Sequence, residues 1–200
     1  MSEAGVNLRR RRLLVITTGI VGTVGTVFAA TPFVLSMMPS ARAKAAGAPV
    51  EVDISKIEPG QLLTVEWRGK PVWILRRTPE MLKSLSADTK VLADPKSAVT
   101  DQQPSYAQNE ARSLKPEYLV LVGICTHLGC APTQRLQAGA VSGLGDEWPG
   151  GFFCPCHGSK FDLAGRVYKN VPAPTNLQVP PYSFLSNTRI IIGVDQKGVA

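Results

Sequence analysis

All four cysteines and both histidines of this chain fall inside two six-residue windows. The first is Cys125-Thr126-His127-Leu128-Gly129-Cys130, and the second is Cys154-Pro155-Cys156-His157-Gly158-Ser159. Only a fold that carries two short loops to one place can use such a pattern. Each loop offers one thiolate and one imidazole, Cys125 with His127 and Cys154 with His157. Two sulfurs and two nitrogens make a metal-ligating set. Cys130 and Cys156 are then left over, and in an oxidising compartment they can form a disulfide that closes one loop onto the other.

Two plainer chemistries use the same residue types. A structural zinc site accepts two thiolates and two imidazoles, but zinc modules usually take a like pair from each knuckle and have no need of two further cysteines. A thiol–disulfide oxidoreductase needs C-x-x-C, whereas Cys154-Pro155-Cys156 is C-x-C.

The compartment follows from the N-terminal segment. Residues 13–41 are 29 consecutive positions without a formal charge. A bilayer core needs ~20 apolar helical residues, so a transmembrane anchor over residues 13–38 is expected. Arg9, Arg10, Arg11 and Arg12 precede it, which places the 1–12 tail in the cytoplasm and the rest outside, in the periplasm of a bacterial inner membrane. Arg10-Arg11-Arg12-Leu13-Leu14 also resembles a twin-arginine export signal. Ala43-Lys44-Ala45 has the small-x-small form of a cleavage site, but the apolar run exceeds the ~7–15 residues of an ordinary signal core. Gly19, Gly22 and Gly25 recur at every third position, a spacing that lets a partner helix approach closely.

The net charge of +7 is concentrated at the same end. Six basic residues up to Lys44 face a single acid, Glu3, which leaves the remainder nearly balanced. Nucleic-acid binding needs a basic face on the folded domain and is excluded on that ground.

Residues 39–49, PSARAKAAGAP, read as a flexible hinge linker that can also turn helical. From residue 50 to 200 the pattern is one of short strands and turns. Residues 62–67 and 71–75 flank Arg68-Gly69-Lys70 as a hairpin. Residues 78–85 form a short helix with Thr78 as N-cap. Residues 118–124 and 189–194 are strands, and 87–116 is polar and irregular. The 131–153 segment between the two boxes, with Asp146, Glu147 and Trp148, reads as a solvated insertion or, alternatively, a docking surface.

CTHLGC followed by CPCHGS resembles the Rieske iron–sulfur proteins, and both boxes match in full. The order of anchor, linker, boxes and proline-containing stretch is similar to that of the Rieske subunit of bacterial quinol–cytochrome c reductase. The resemblance covers most of the chain. It implies a mostly β fold: an antiparallel β-sandwich head with a small cluster-binding subdomain at about residues 120–175 and one N-terminal transmembrane helix. It implies one [2Fe–2S] cluster, with Cys125 and Cys154 on the inner iron and His127 and His157 on the outer. It further implies a Cys130–Cys156 bridge, a hydrogen bond from Ser159 to a cluster sulfide, shielding by Leu128 and cover by Pro172-Ala173-Pro174.

Two positions depart from the family pattern. Phe161 stands where many members have a tyrosine that donates to a cysteine sulfur, and loss of that donor should lower the potential. Val171 stands where many have glycine, so positive φ is disfavoured there.

The function implied is electron transfer. A proton and an electron pass from ubiquinol, contacted at His157 with His127 as the second exposed ligand, and the electron goes on to a cytochrome c1-type haem. The partners implied are cytochrome b, cytochrome c1, ubiquinol and the lipid bilayer, and catalysis belongs to the complex rather than to this chain alone. The alternatives are the Rieske subunit of another periplasmic oxidoreductase, of arsenite oxidase type, and a zinc-stapled binding module.

Overall fold

The computed structural model describes Gly5 and residues 7–87 and 89–195. The chain divides into two units, Met1–Ala45 and Ala46–Ala200.

The first unit is built on helix α1, Leu8–Ser36. Its mean hydropathy reaches 2.0 and its apolar side chains are bare, with Phe28 81% exposed. At ~1.5 Å per residue it measures about 43 Å, longer than a ~30 Å hydrocarbon core. The helix begins five residues before the sequence expectation of residue 13. Asn7 is the reason: its side chain accepts the Arg10 N–H at 3.1 Å, so the cap lies ahead of the arginines, which are good helix formers. Within the helix the Thr23, Thr26 and Thr31 hydroxyls donate to the carbonyls of Gly19, Gly22 and Val27 at 2.7–2.8 Å. These bonds suit a segment without water. Residues 41–46 form α2, Ala41–Ala46, with the Ser40 hydroxyl accepting the Ala43 N–H at 3.1 Å. The linker segment is thus partly helical, although so short a helix is marginal on its own.

Among the described residues, the second unit contains nine strands in three antiparallel three-stranded sheets. Strands β1 (Val50–Asp53), β9 (Arg189–Ile192) and β8 (Tyr182–Phe184) form one sheet. A second contains β2 (Leu62–Trp67), β3 (Lys70–Arg76) and β4 (Tyr118–Val122). The third contains β5 (Thr133–Arg135), β6 (Gly151–Cys154) and β7 (Ser159–Phe161). The β2–β3 hairpin turns on Arg68 and Gly69 alone, with φ of 53° and 70°. Two positive φ values match the twist of such two-residue turns. Helix α3, Pro79–Ala87, starts one residue after Thr78, whose hydroxyl accepts the Met81 N–H at 3.3 Å.

The core takes residues from all three sheets, with Val52, Tyr182, Ile190 and Ile192 from the first. Trp73 of β3 stacks on Phe152 of β6 with ring centroids 5.0 Å apart. Gly123, directly after β4, lies under the Trp73 indole, and a Cβ there would collide with the ring. Leu75, Leu119 and Leu121 share the Trp73 face of the second sheet, and Val72, Ile74 and Val120 are buried on its other face. At ~25 cal/mol per Å² such burial dominates the stability of a head this size.

Trp148 departs from the solvated reading of the 131–153 segment. It is buried, stacks on Tyr168 at 5.9 Å, and donates its indole N–H to the Arg135 carbonyl at 2.8 Å. Burial of the large indole pins the segment to the third sheet, while Asp146 and Glu147 remain exposed.

Candidate cluster site

The two loops meet at one end of the third sheet. The first leaves buried strand β4 through Gly123 and Ile124 and runs to β5. Its Cys125 N–H donates to the Cys130 carbonyl at 2.8 Å, and the Gly129 N–H donates to the Cys125 carbonyl at 3.1 Å. The Thr126 hydroxyl ties it to the Thr175 carbonyl at 2.7 Å. The second loop is the turn of the β6–β7 hairpin, where Cys154 pairs across the ladder with Ser159.

Cys130 and Cys156 form a disulfide that joins the loops. Cys125 and Cys154 are free and buried. The Cys154 sulfur lies within 4.8 Å of both bridge sulfurs, but the bridge removes Cys130 and Cys156 from any ligand set. Burial pushes the Cys125 thiol's pKa up, and the nearby His127 backbone and Ser159 side chain act to lower it. The His127 and His157 rings meet edge to face, with centroids 4.7 Å apart.

His127 Nδ1 is buried and has no hydrogen-bond partner. A buried polar atom of this kind normally costs free energy unless something accepts its lone pair. Two free buried thiols and two adjoining imidazoles, one with an orphaned inward nitrogen, fit a cluster held by two sulfurs and two nitrogens. His157 is exposed and Leu128 projects at 72% exposure, so one side of the site faces outward.

The remaining expected residues surround this core. Ser159 is fully buried, and its oxygen accepts the Ala173 N–H at 3.1 Å, which ties the Pro172–Pro174 stretch to β7. Positive φ in that stretch falls on Asn170, at 57°, rather than on Val171. Asparagine tolerates this region, so valine at 171 costs the loop nothing there. Phe161 is fully buried and carries no donor.

Sequence reasoning did not single out Arg77, Arg112 and Arg166, all buried behind β7. Arg77 donates to the carbonyls of Leu163, Ala111 and Pro116 and to the Ser113 hydroxyl. Arg166 pairs with Asp162 at 2.7 Å. Burial lowers Arg77 and Arg112 to about 10, so both stay charged near neutrality.

The donor set by itself would also suit zinc, and comparison with known proteins decides between the two. Residues 49–182 match the family model described as Rieske [2Fe-2S] domain, the class that the paired loops define. Residues 1–40 match the model described as ubiquitinol-cytochrome C reductase Fe-S subunit TAT signal. The chain is 62% identical over 196 residues to the ubiquinol-cytochrome c reductase iron-sulfur subunit of Allochromatium vinosum, covering 98% of this chain and 94% of that one. It is 45% identical over 185 residues to the subunit of the same name from Blastochloris viridis, covering 92% of each. A chain of a hyperthermophilic respiratory complex III superposes with a TM-score of 0.46 at 30% identity, over 88% of this chain and 97% of that one. The chain belongs to the family of iron–sulfur subunits of ubiquinol–cytochrome c reductase. Its cofactor is accordingly a Rieske-type [2Fe–2S] cluster, and the chain is a membrane-anchored component of an oxidoreductase complex.

Proposed function

We propose that this chain takes one electron, together with a proton, from ubiquinol and passes the electron to a cytochrome c1-type haem within a cytochrome bc complex. Cytochrome b and cytochrome c1 are its protein partners, residues 13–38 cross the lipid, the N-terminal tail is cytoplasmic and the head is periplasmic. Cys125, Cys154, His127 and His157 hold the cluster. The observation that carries this reading is the orphaned His127 Nδ1, buried beside two free thiols and a second imidazole.

When bound, a binuclear cluster with two neutral imidazole ligands supplies a one-electron acceptor of high potential, within roughly −150 to +300 mV. The chain's own residues do the rest. His127 turns Nδ1 inward, which leaves Nε2 as its outward nitrogen. His157, more exposed, presents its outer ring nitrogen to a quinol hydroxyl and holds the proton that leaves with the electron. Leu128, next to His127 in the chain and exposed, offers an apolar surface to the quinol ring. Ser159, buried beside Cys154 in the ladder, would donate its hydroxyl to a cluster sulfide, which favours the more negative, reduced state.

Redox-poised EPR of membranes, with and without a quinol-site inhibitor, tests the reading. A Rieske-type signal whose line shape responds to the inhibitor is expected. Protein containing zinc in place of iron and acid-labile sulfide would overturn it.

A further inference from the structure

Three buried guanidiniums converge on one turn. Arg77 lies just past β3, Arg112 in the irregular segment before β4, and Arg166 after β7. All three are at most 2% exposed. Arg77 donates to the Leu163 carbonyl at 3.1 Å. Arg112 donates to the Ala164 and Gly165 carbonyls at 3.1 and 3.4 Å, and to the Gln103 side chain at 3.0 Å. Arg166 holds Asp162 through its Nε at 2.7 Å and reaches the Leu85 carbonyl at 2.6 Å. Four consecutive residues, 162–165, are therefore each gripped by a buried cation. Of the three, Arg166 has an ion pair, with Asp162, while Arg77 and Arg112 are held by carbonyls and neutral side chains, and burial of charge is costly unless the position it enforces is worth that cost. Arg112 also adopts a left-handed backbone, with φ of 48°, a strained choice for a long side chain.

The turn so gripped follows β7 directly, and β7 begins at Ser159. The Gly165 carbonyl accepts the Leu177 N–H at 2.8 Å, and the Val167 N–H donates to the Asn176 side chain at 2.8 Å. The irregular stretch that carries Ala173, whose N–H bonds the Ser159 oxygen, hangs on the same turn. The far end of β7 and the Ala173 stretch that bonds the Ser159 oxygen thus both connect to residues 162–167, while the β6–β7 ladder holds Ser159 from its other side, beside Cys154.

We propose that Arg77, Arg112 and Arg166 are positioning residues for Ser159, a clamp behind the second loop that helps set the cluster's reduction potential without touching either loop. The proposal rests on the cluster reading above. The geometry separates it from a simple charge effect. Lysine at 112 keeps the charge, but its one ammonium cannot span Ala164, Gly165 and Gln103 as the planar fork does.

The test compares wild-type holoprotein with Arg112→Lys, Arg112→Gln and the milder Gln103→Met, which frees one arm of the Arg112 guanidinium. Midpoint potentials are read by EPR titration, and hydrogen exchange is followed over residues 159–177. Arg112→Lys should shift the one-electron reduction equilibrium about threefold toward the oxidised form, a fall of about 28 mV. Exchange over 159–177 should quicken about tenfold. Gln103→Met should move both readouts the same way by less, and it decides the matter if the arginine variants do not fold. A fully loaded Arg112→Lys at the wild-type potential, with only Arg112→Gln shifted, overturns the clamp in favour of charge alone. Wild-type protein without iron and sulfide overturns the cluster reading instead, and the exchange comparison still judges the clamp.

Discussion

The two cysteine loops each carry one free thiol and one imidazole, yet the chain holds them by different means. The second is the turn of a hairpin, and the Cys154–Ser159 pair is part of the β6–β7 ladder. The first spans two different sheets and is kept in shape by its own short backbone bonds, the Thr126–Thr175 tether and the bridge to Cys156. A sheet fixes one loop, and a few individual bonds fix the other. Sheet ladders share their load over many bonds, so the first loop should be the more fragile of the two.

Where the loops contribute alike, the effect is largest. Cys125→Ser and Cys154→Ser should each abolish the visible absorption and the EPR signal entirely, since one missing thiolate opens the inner iron. A cluster retained in either variant would break the equivalence. The difference in support appears once the bridge is removed. The disulfide joins positions 26 residues apart. Cys130→Ala with Cys156→Ala should cost about 3.5 kcal/mol by loop-closure entropy, measured by denaturant unfolding. Hydrogen exchange should then rise over residues 125–130 well above the rise over 154–159, and equal rises would sink the comparison.

Smaller effects sharpen the picture. Ser159→Ala should lower the midpoint potential by the worth of a charge-assisted hydrogen bond, about 1.5 kcal/mol or roughly 65 mV for one electron. Phe161→Tyr, which restores a donor, should raise the potential in a parallel EPR titration. Thr126→Val removes only the tether to Thr175 and should cost about 0.5–1 kcal/mol in thermal unfolding, with the potential unchanged.

The two loops that meet in the fold were legible because cysteine and histidine occur nowhere else in the chain, and the β2–β3 hairpin because Arg68-Gly69-Lys70 breaks two strand-like runs. The arginine clamp was not. Arg77 and Leu163 are 86 positions apart, and nothing local distinguishes a buried arginine from the many on a surface. The polar neighbours Asp146 and Glu147 give the segment around Trp148 a solvated look. Its partners, Arg135 and Tyr168, lie on other strands or beyond them. The helix extends ahead of the uncharged run because Asn7 sets the backbone cap, which hydropathy does not register. Long-range partners and caps of this kind leave little trace in composition.

Asn7 has a mechanical consequence through the helix it starts. Because α1 already includes Arg9, Arg10, Arg11 and Arg12, these side chains leave the axis at steps of about 100° and together encircle it. A collar of cations has no preferred side. Such a stalk can revolve about its long axis while some guanidinium always reaches the headgroup layer, so its depth is fixed and its rotation is left free.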